Sequence, residues 1–572
     1  MKRRLRVSVG AAVLAALVVF GCRTNDGGLV RKDFRRIAAG GIDGRINSYP
    51  WAVASFDGDG DGVDEVYVGT IANALCLQAP AASWLIEQVP SYRPPARWQC
   101  DVTRWNPADW WPYEMDNYHP PVVFRGRPAA DGWTWDRVFE PRPEGLPYGF
   151  RGSVVFNGAL YMLASVWSGA VVYKTTDGVN WEAASDPGVI PEHQGINTSL
   201  RGTAVYKGRL YVASADIGAV YASDDPAPGN WAQVNAVGWT DSGGEVHDES
   251  LDAGTSTGGN APDSLNDAAK NWVVDQFAGL RVRITGGTGA GQSRLITSNG
   301  ATSLMNAAAW DVVPDATSAY EIYRPDVPDC GPSYQMAVFN DHLYVVPQDA
   351  TTGPELWRAD NPAPGNWTRV IRGGYGNPKS LGYMTVTPFG DHLYLGSTVY
   401  PGYVHALQDL VAMEVLRIDR DENVELLVGK TRNPGTPQEI PPLSGYGPGF
   451  DYPLNLYSWD AAEYEGWLYL GTMDFGGIAL DVLGGLLPGD VPDAQRELVR
   501  DLLDSDLNRF GGGDLWRTRD GIDWVPVTRN GFGQIDNCGV RSLKATPWGL
   551  LVGMADPVAG FEIWMGKKAE AF

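Results

Sequence analysis

The sequence predicts an all-β protein built from many short strands, and three observations lead to this prediction. Gly 70 and Pro 40 together make up about a fifth of the 572 residues, which is typical of a chain with many turns. The chain also contains 22 Trp and 25 Tyr, which favour strands. One phrase with a tight turn at its centre recurs seven times. A hydrophobic content of 44% is sufficient for a large core.

The N-terminal residues 1–22 have the pattern of an export signal. A basic start is followed by an apolar run that is too short to remain as a membrane anchor. The ending Val19-Phe20-Gly21-Cys22 resembles a bacterial lipobox, in which a small residue precedes the lipidated cysteine. The resemblance implies an exported protein of the bacterial cell envelope that is anchored by a lipid on Cys22. Ordinary signal cleavage nearby is the alternative.

The other cysteines are four in number, and an even number in an exported protein favours disulfides. Three pairings are open. One of them, Cys76–Cys100 with Cys330–Cys538, keeps the first pair local in sequence.

The recurring phrase consists of an aromatic residue, a polar turn, and then Leu-Tyr with a short β-branched run, as in AVYKGRLYVASA (204–215). Each copy indicates two strands joined by a tight turn. A second phrase ending in Trp follows, as in VVYKTTDGVNWE (171–182), and adds two more strands. Four strands at a minimum period near 50 residues are typical of a propeller blade, so the sequence predicts a seven-bladed β-propeller. The copies lie at residues 55–70, 154–165, 204–215, 337–348, 387–398, 462–473 and 546–555.

The ends of the chain and one long insertion complete this organisation. The last repeat is one strand short, and residues 34–41 echo the outermost strand at 367–374. We therefore expect the N-terminal strand 34–41 to close the last blade. Blades 1–3 are expected within 30–239 and blades 4–7 within 327–572. The excess at 240–326 predicts a small inserted all-β module.

An acidic loop in the first repeat has the spacing of a calcium site. Carboxylates occupy positions 1, 3 and 5, a backbone carbonyl is available at position 7, and a carboxylate occupies position 9. The frame FDGDGDGVDEVYVG resembles the FG-GAP calcium loop of integrin-type propellers, which implies a structural calcium ion. The alternative is an acidic, solvated turn. The expected ligands are Asp57, Asp59, Asp61, Val63 and Glu65.

Two turns, TTDGVNW (175–181) and TRDGIDW (518–524), resemble the Asp-box of sialidase-like and sortilin-like propellers, each one residue short between Asp and Trp. The wider repeat pattern resembles kelch-type repeats. The resemblance implies that Asp177, Trp181, Asp520 and Trp524 stabilise the fold.

Nucleic acids and nucleotides are not expected partners. The 45 Lys+Arg and 68 Asp+Glu give a net charge of −23, which opposes nucleic-acid binding. The segment GGTGAGQS (286–293) resembles a phosphate loop, but Gln292 replaces the lysine and a strand follows, so it predicts a hairpin turn.

The innermost strands of the predicted ring suggest a binding site. Aligned on the aromatic residue that follows, their entry positions contain three arginines, which would face one another around the channel mouth. Like charges at close range are unfavourable unless an anion or carboxylates lie among them. An anion site is therefore expected, and pairing of each arginine with a neighbouring carboxylate is the alternative. The Gly382 and Arg541 positions align only if a two-residue Thr-Pro bulge is allowed in their strands. The aligned positions are Trp51, Arg151, Arg201, Tyr334, Gly382, Trp459 and Arg541.

The arginines form the cationic part of this site, while Trp51, Trp459 and Tyr334 are expected to be its aromatic walls. Sialidases hold a substrate carboxylate with three arginines, which is a geometric resemblance. The only acid/base candidates placed beside the arginines are Asp460, Glu463 and Tyr457.

The first interpretation of function is an exported, lipid-anchored propeller that binds a ligand or protein, or acts as a scaffold, at the cell envelope. The alternative is a carbohydrate-active enzyme, either a sialidase-like hydrolase or a polysaccharide lyase. A third interpretation is a structural component of an envelope assembly. The expected partners are the membrane through Cys22 and an acidic glycan or an envelope protein.

Overall fold

The computed structural model describes most of the chain outside the N-terminal signal and several long connections. Among the described residues, no helix is both long and apolar enough to cross a membrane. The described residues are 26–72, 74, 97, 119–130, 132–142, 145–235, 249–277, 280–306, 308–324, 333–348, 353–399, 411–478 and 511–568.

The described chain is all-β and its strand pairing is antiparallel, which confirms the predicted class. Short helical turns lie at Arg31–Asp33, Pro191–His193, Gly373–Tyr375, Pro448–Asp451 and Gly531–Gly533. Two compact units are present. The first contains Met1–Val237, Cys330–Pro364 and Arg369–Phe572, and the second contains Gly238–Asp329 and Gly365–Thr368.

In the described residues, the first unit contains seven groups of four antiparallel strands, named A to G. Group A consists of β2 (Asn47–Phe56), β3 (Glu65–Ala72), β4 (Val123–Ala129) and β5 (Gly132–Phe139). Group B consists of β6 (Pro147–Phe156), β7 (Ala159–Val166), β8 (Val171–Thr175) and β9 (Glu182–Ala183). Group C consists of β10 (Leu200–Tyr206), β11 (Arg209–Ser214), β12 (Val220–Ser223) and β13 (Ala232–Gln233). Group D consists of β20 (Ser333–Phe339), β21 (His342–Pro347), β22 (Leu356–Ala359) and β23 (Thr368–Ile371).

The last three groups follow the same order, except that the N-terminal strand completes the final one. Group E consists of β24 (Gly382–Phe389), β25 (His392–Thr398), β26 (Val415–Ile418) and β27 (Val424–Val428). Group F consists of β28 (Asn455–Tyr464), β29 (Trp467–Asp474), β30 (Leu515–Thr518) and β31 (Trp524–Thr528). Group G consists of β32 (Gly539–Thr546), β33 (Gly549–Ala555), β34 (Glu562–Gly566) and, paired with β34, the N-terminal β1 (Phe34–Ala38).

The first strands of the seven groups pack against one another in sequence. Strand β2 contacts β6, β6 contacts β10, β10 contacts β20, β20 contacts β24, β24 contacts β28, and β28 contacts β32, which returns to β2. Hydroxyl groups hydrogen-bond across these contacts. Ser153 Oγ donates to the Val53 carbonyl at 2.8 Å, and Ser542 Oγ donates to the Pro50 carbonyl at 3.0 Å. Neighbouring groups are therefore joined by polar bonds as well as apolar packing.

The two Asp-box-like turns have the same geometry in groups B and F. Asp177 Oδ1 accepts hydrogen bonds from the amides of Val179 and Asn180, and Asp520 Oδ1 accepts the equivalent pair from Ile522 and Asp523. The glycine after each Asp has a positive φ and lies against a tyrosine of the preceding group. A Cβ atom on Gly178 would lie 1.9 Å from Tyr67 Oη, and one on Gly521 would lie 1.9 Å from Tyr394 Oη. Each turn therefore helps to fix the contact between two groups.

The second unit is a six-stranded antiparallel sheet with strand order β14-β19-β16-β17-β18-β15. Its core includes Leu265, Trp272, Ile296, Trp310 and Tyr320. The GGTGAGQS segment joins two antiparallel strands. The strands are β14 (Glu249–Thr255), β15 (Ser264–Asn266), β16 (Arg281–Gly286), β17 (Ser293–Asn299), β18 (Ser303–Asn306) and β19 (Ala319–Arg324).

Candidate functional site

A β-bulge interrupts every first strand close to its entry end. A bulge leaves a residue out of the ladder and re-aims its side chain, and bulges are common beside binding sites. The residues within the register shifts include Trp51, Arg151, Arg201, Tyr334, Met384, Trp459 and Arg541. Six of these match the positions aligned from the sequence. The seventh alignment was wrong by two residues, because Gly382 pairs regularly with Thr398 and Met384 occupies the bulge.

Two tryptophans of this set hold two of the arginines. The Arg151 Cζ atom lies 4.7 Å from the centroid of the Trp51 ring. The Arg541 Cζ atom lies 5.6 Å from the Trp51 centroid and 5.3 Å from the Trp459 centroid. Arg541, Trp51 and Trp459 are all buried. The guanidinium of Arg541 therefore lies against two indole rings, which attract a cation through their negative faces.

The remaining members of the set extend this cluster. Arg201 is buried, and its Nη1 lies 3.7 Å from Met384 Sδ. Arg151 is half-buried, and its Nη1 donates to Ser199 Oγ at 2.8 Å. Tyr334 belongs to β20, but its side chain lies outside the described part, so its role as an aromatic wall stays a prediction.

The electrostatics of the cluster are unbalanced toward positive charge. Burial lowers the pKa of Arg541, and the charges of Arg201 and Arg151 lower it further. Asp460 acts in the opposite direction. Among the described residues, Arg541 Nε and Nη2 have no hydrogen-bond acceptor. A buried donor without an acceptor costs about 1–3 kcal/mol, so the arrangement favours an added anionic oxygen.

The three acid/base candidates are not brought together. Both carboxylate oxygens of Asp460 are engaged, Oδ1 by the Ala461 amide and Oδ2 by the Leu543 amide, and burial raises the pKa of this carboxyl. Tyr457 is buried with its ring edge-on to Trp459 at 5.9 Å. Glu463 is exposed in a separate cavity, lined also by Lys544 and Pro547 near the turns that end the first strands. The prediction that Glu463 lies beside the arginines was wrong because Glu463 lies further along β28.

The acidic loop brings three of its five predicted ligands together. One carboxylate oxygen from each of Asp57, Asp59 and Asp61 lies within 4.8 Å of the others, so the triad could hold a metal ion. Their carboxylates also accept amide hydrogen bonds inside the loop, for example from Gly60 to Asp57 at 2.8 Å. Val63 is exposed on the same loop.

Glu65 was wrongly assigned to this loop. Its side chain is buried, and its Oε2 accepts hydrogen bonds from the Gly58 amide at 3.0 Å and the Tyr67 hydroxyl at 2.9 Å. Its other oxygen lies 3.5 Å from Arg125 Nη1. These partners stabilise the Glu65 carboxylate in place of a metal ion.

The cysteine expectations are tested at one position. Cys538 is a buried, free thiol, at odds with the disulfide expected for it, and burial raises its pKa. It packs in the same apolar cluster as Tyr49 and Trp459. Cys22, Cys76, Cys100 and Cys330 lie outside the described residues.

The sequence did not indicate three buried carboxyls near the bulged ends of the strands. Burial raises the pKa of Asp474 to about 7 and that of Asp514 and Asp556 to about 6. An Asp at the start or end of a strand is common in sequences, so these three residues do not stand out. Their pKa values are raised because the tertiary packing buries them.

Comparison with known proteins does not assign this chain to a family. No protein family matches the sequence, and no curated protein is significantly similar to it. Among solved structures, Saccharomyces cerevisiae Sqt1 aligns over 92% of this chain and 97% of its own, with 7% identity and a TM-score of 0.37. The phage phi92 endosialidase aligns over 73% and 67%, with 11% identity and a TM-score of 0.28. CoXyl43, a GH43 β-xylosidase/α-arabinofuranosidase from a compost microbial metagenome, aligns over 69% and 96%, with 12% identity and a TM-score of 0.25.

Proposed function

We propose that the seven groups are the blades of a closed seven-bladed β-propeller that binds an anionic ligand at the ring of bulges. The cyclic packing of the first strands and the pairing of β1 with β34 support a closed ring. In such a ring, the seven bulged residues surround the central channel at one level, and the three arginines point toward a common centre.

The observation that carries the binding function is the state of Arg541. Its guanidinium is buried beside two like charges, and two of its nitrogens have no acceptor among the described residues. Asp460 supplies the opposite charge but is engaged with backbone amides. A carboxylate or sulfate would both accept the free N–H groups and balance the charge, and guanidinium groups recognise such anions through paired hydrogen bonds.

The ligand class that fits this site is an acidic glycan. Its carboxylate or sulfate would pair with the guanidinium groups, and Trp51 and Trp459, which are buried against Arg151 and Arg541, would hold those groups in place. Arg151, the half-buried member of the three, is the first that an incoming anion would meet.

The alternative, a hydrolase or lyase acting on acidic glycans, needs an acid/base pair within reach of the bound ligand. Among the described residues, Tyr457 and Asp460 lie near the arginines, whereas Glu463 lies elsewhere. Asp460 is already engaged by two amides. Binding is therefore the function that we propose, and turnover of an acidic oligosaccharide is the result that would favour the enzyme.

We also propose that the Asp57–Asp59–Asp61 triad holds calcium in a structural role. Hard carboxylate oxygens at this spacing suit Ca²⁺, and the loop joins β2 to β3 in group A. The export, the lipid on Cys22 and the location at the cell envelope are part of the same proposal, which rests on the pattern of residues 1–22.

The test is calorimetric titration of the mature protein with uronate-, sialate- and sulfate-bearing oligosaccharides and their neutral counterparts. We expect at least one acidic class to bind and the neutral sugars not to bind. Arg151→Ala should weaken binding at least about tenfold, because a hydrogen bond to a charged group contributes about 1.5–3 kcal/mol. Arg209→Ala, an arginine beside the β10–β11 turn, is the matched control. Unchanged affinity in Arg151→Ala would refute the site.

A further inference from the structure

We propose that one basic corner of group G docks on the anionic headgroups of a lipid bilayer. This basic corner consists of Lys32, Arg35, Lys567 and Lys568, whereas the neighbouring Arg31 is half-buried and donates to the Phe532 carbonyl at 3.2 Å. The proposal uses the lipid tether at Cys22 from the proposed function and is independent of the anion site at the bulges.

The pairing of the two chain termini creates this corner. Strand β1 runs antiparallel to β34 with Phe34 opposite Gly566, and the Lys567 amide donates to the Asp33 carbonyl at 3.1 Å. The residues just before β1 therefore lie beside those just after β34. Two sequence-distant basic segments become one surface.

The charge of the corner contrasts with that of the whole protein, which is −23. Asp33 neutralises Lys568 through an ion pair of 2.9 Å. Lys32, Arg35 and Lys567 are exposed, and none of them has an ion-pair partner in the part of the chain that the structure describes. Salt screens charges over about 8 Å at physiological ionic strength, so a local basic surface can act independently of distant acidic residues.

The chain reaches this corner directly from the proposed lipid site. Asp26 Oδ1 accepts from Arg517 Nη1 at 2.8 Å, and the Leu29 amide donates to Tyr469 Oη at 2.8 Å with Leu29 buried. The Val30 amide donates to Asp33 Oδ2 at 2.9 Å, and the same oxygen pairs with Lys568, which places this segment beside the corner. Four Cα steps separate Cys22 from Asp26, a reach of about 14 Å at most. A lipid on Cys22 would hold the headgroups close to the basic corner.

The strand register places the corner at the end of group G that is remote from the bulge. Met554 pairs with both Val540 and Glu562, so the start of β34 is level with the bulge at Arg541. Leu550 pairs with Ala545 and Gly566 at the far end. Docking through the corner would therefore leave the arginine cluster directed away from the membrane and open to a ligand from solution.

The basic corner would act as a second membrane-binding element beside the lipid on Cys22. Basic residues near an anionic surface strengthen membrane attachment, and a lipid chain combined with a basic surface anchors more stably than a single chain alone. The three unpaired basic residues would orient the protein as well as strengthen its attachment.

The experiment measures cosedimentation of the mature chain carrying Cys22→Ser, which removes the lipid, with two kinds of vesicle. One kind contains phosphatidylcholine with 30% phosphatidylglycerol, and the other contains phosphatidylcholine alone. We expect binding to the anionic vesicles only. Lys32→Glu with Arg35→Glu should reduce the partition coefficient at least about tenfold. Arg142→Glu with Lys430→Glu makes the same change in net charge at exposed positions outside group G and should have a much smaller effect.

Equal binding by the two double variants, or equal binding to both kinds of vesicle, would overturn the proposal. Tighter capture by a soluble sulfated polymer than by the anionic vesicles would also overturn it, in favour of a polyanion site. The Lys32→Glu/Arg35→Glu variant should keep the glycan affinity of the bulge ring, so failure of either proposal can be recognised separately.

Discussion

The two ends of the first strands, the turn end and the bulge end, differ in the burial and hydrogen bonding of their ionisable side chains. At the turn end, ionisable side chains are exposed or satisfied locally, as with Asp177, whose carboxylate accepts two amide hydrogen bonds within its own turn. At the bulge end, Arg541, Arg201 and Asp474 are buried, and two nitrogens of Arg541 have no acceptor among the described residues.

The carboxyl groups show the same contrast. Hydrogen bonds from the Asn180 amide and side chain hold the pKa of Asp177 well below its usual value. Burial raises the pKa of Asp474 to about 7. The charge of Asp514 raises it further, whereas hydrogen bonds from the Gly476 and Gly512 amides act in the opposite direction. The ionised form of Asp177 is therefore stabilised at the turn end, whereas the ionised form of Asp474 is destabilised at the bulge end.

This difference indicates which end carries function. A turn whose hydrogen bonds are satisfied within the turn itself can recur in different groups with little change, as the two Asp-box-like turns show. Buried and unbalanced charge reduces the stability of the fold, and such groups cluster where a ligand has to be bound. The bulge end is therefore the candidate site, and the turn end carries recurring turns that stabilise the fold.

The largest expected effect is that of Trp51→Ala. Trp51 is buried, and its ring contacts Arg151 and Arg541. Removal of the ring should lower the free energy of unfolding by about 3–5 kcal/mol, as for other buried aromatic residues. Chemical denaturation measures this change. Trp133→Ala, at a half-buried position in β5, is the control and should lose less. An equal loss in both variants would contradict the special role of the bulge ring.

The next effect is a dependence of stability on pH that comes from the buried acids. Asp474 has a pKa near 3.8 when unfolded and about 7 when folded. Because the folded state favours the neutral form, its contribution is complete below pH 4 and is lost as the pH rises through 7. The difference of about three pKa units corresponds to about 4 kcal/mol. Denaturation at pH 5 and pH 8 should therefore show a less stable protein at pH 8.

Asp474→Asn should reduce the fall in stability between pH 5 and pH 8, since the amide does not ionise, and the remaining fall should come from Asp514 and Asp556, whose pKa values are about 6. Asp177→Asn is the matched control and should leave the slope between pH 5 and pH 8 unchanged. A wild-type protein that is equally stable at both pH values would refute the assignment of a buried neutral carboxyl to Asp474.

Sequence alone predicts features that neighbouring residues decide. The hairpin turns are an example, because Asn157 and Lys207 each adopt a positive φ just before a glycine. The place of Glu65 could not be predicted, since its partner Arg125 lies 60 residues later in the chain. Arg151 and Arg201 were found because each lies five residues before an aromatic residue, and Met384 has the same spacing to Phe389. An allowance of two residues for Thr-Pro moved that alignment to Gly382, which was wrong, whereas the same allowance at Arg541 was correct. Only the register with the next strand distinguishes these two cases.

A smaller effect of opposite sign is expected for Arg541→Met. The substitution removes a buried charge with unpaired donors and keeps an unbranched side chain between the two indoles. In the absence of ligand, the protein should become more stable by about 1–3 kcal/mol, while binding of the acidic glycan should be lost. Thermal and chemical unfolding, with and without the ligand, measure both changes. A less stable variant would indicate that Arg541 is a structural residue of the ring.

The smallest effect is expected at the turn end, in Asp177→Ala. The carboxylate accepts hydrogen bonds from the amides of Val179 and Asn180, and loss of a capping side chain of this kind costs about 1 kcal/mol. Asp520→Ala should cost a similar amount, because the same two bonds recur there with nearly identical lengths of 2.9 and 2.8 Å. Neither variant should change glycan affinity. If Asp177→Ala weakened glycan binding as strongly as Arg151→Ala, the two ends would not be functionally separate, and the ligand site would have to extend through the channel.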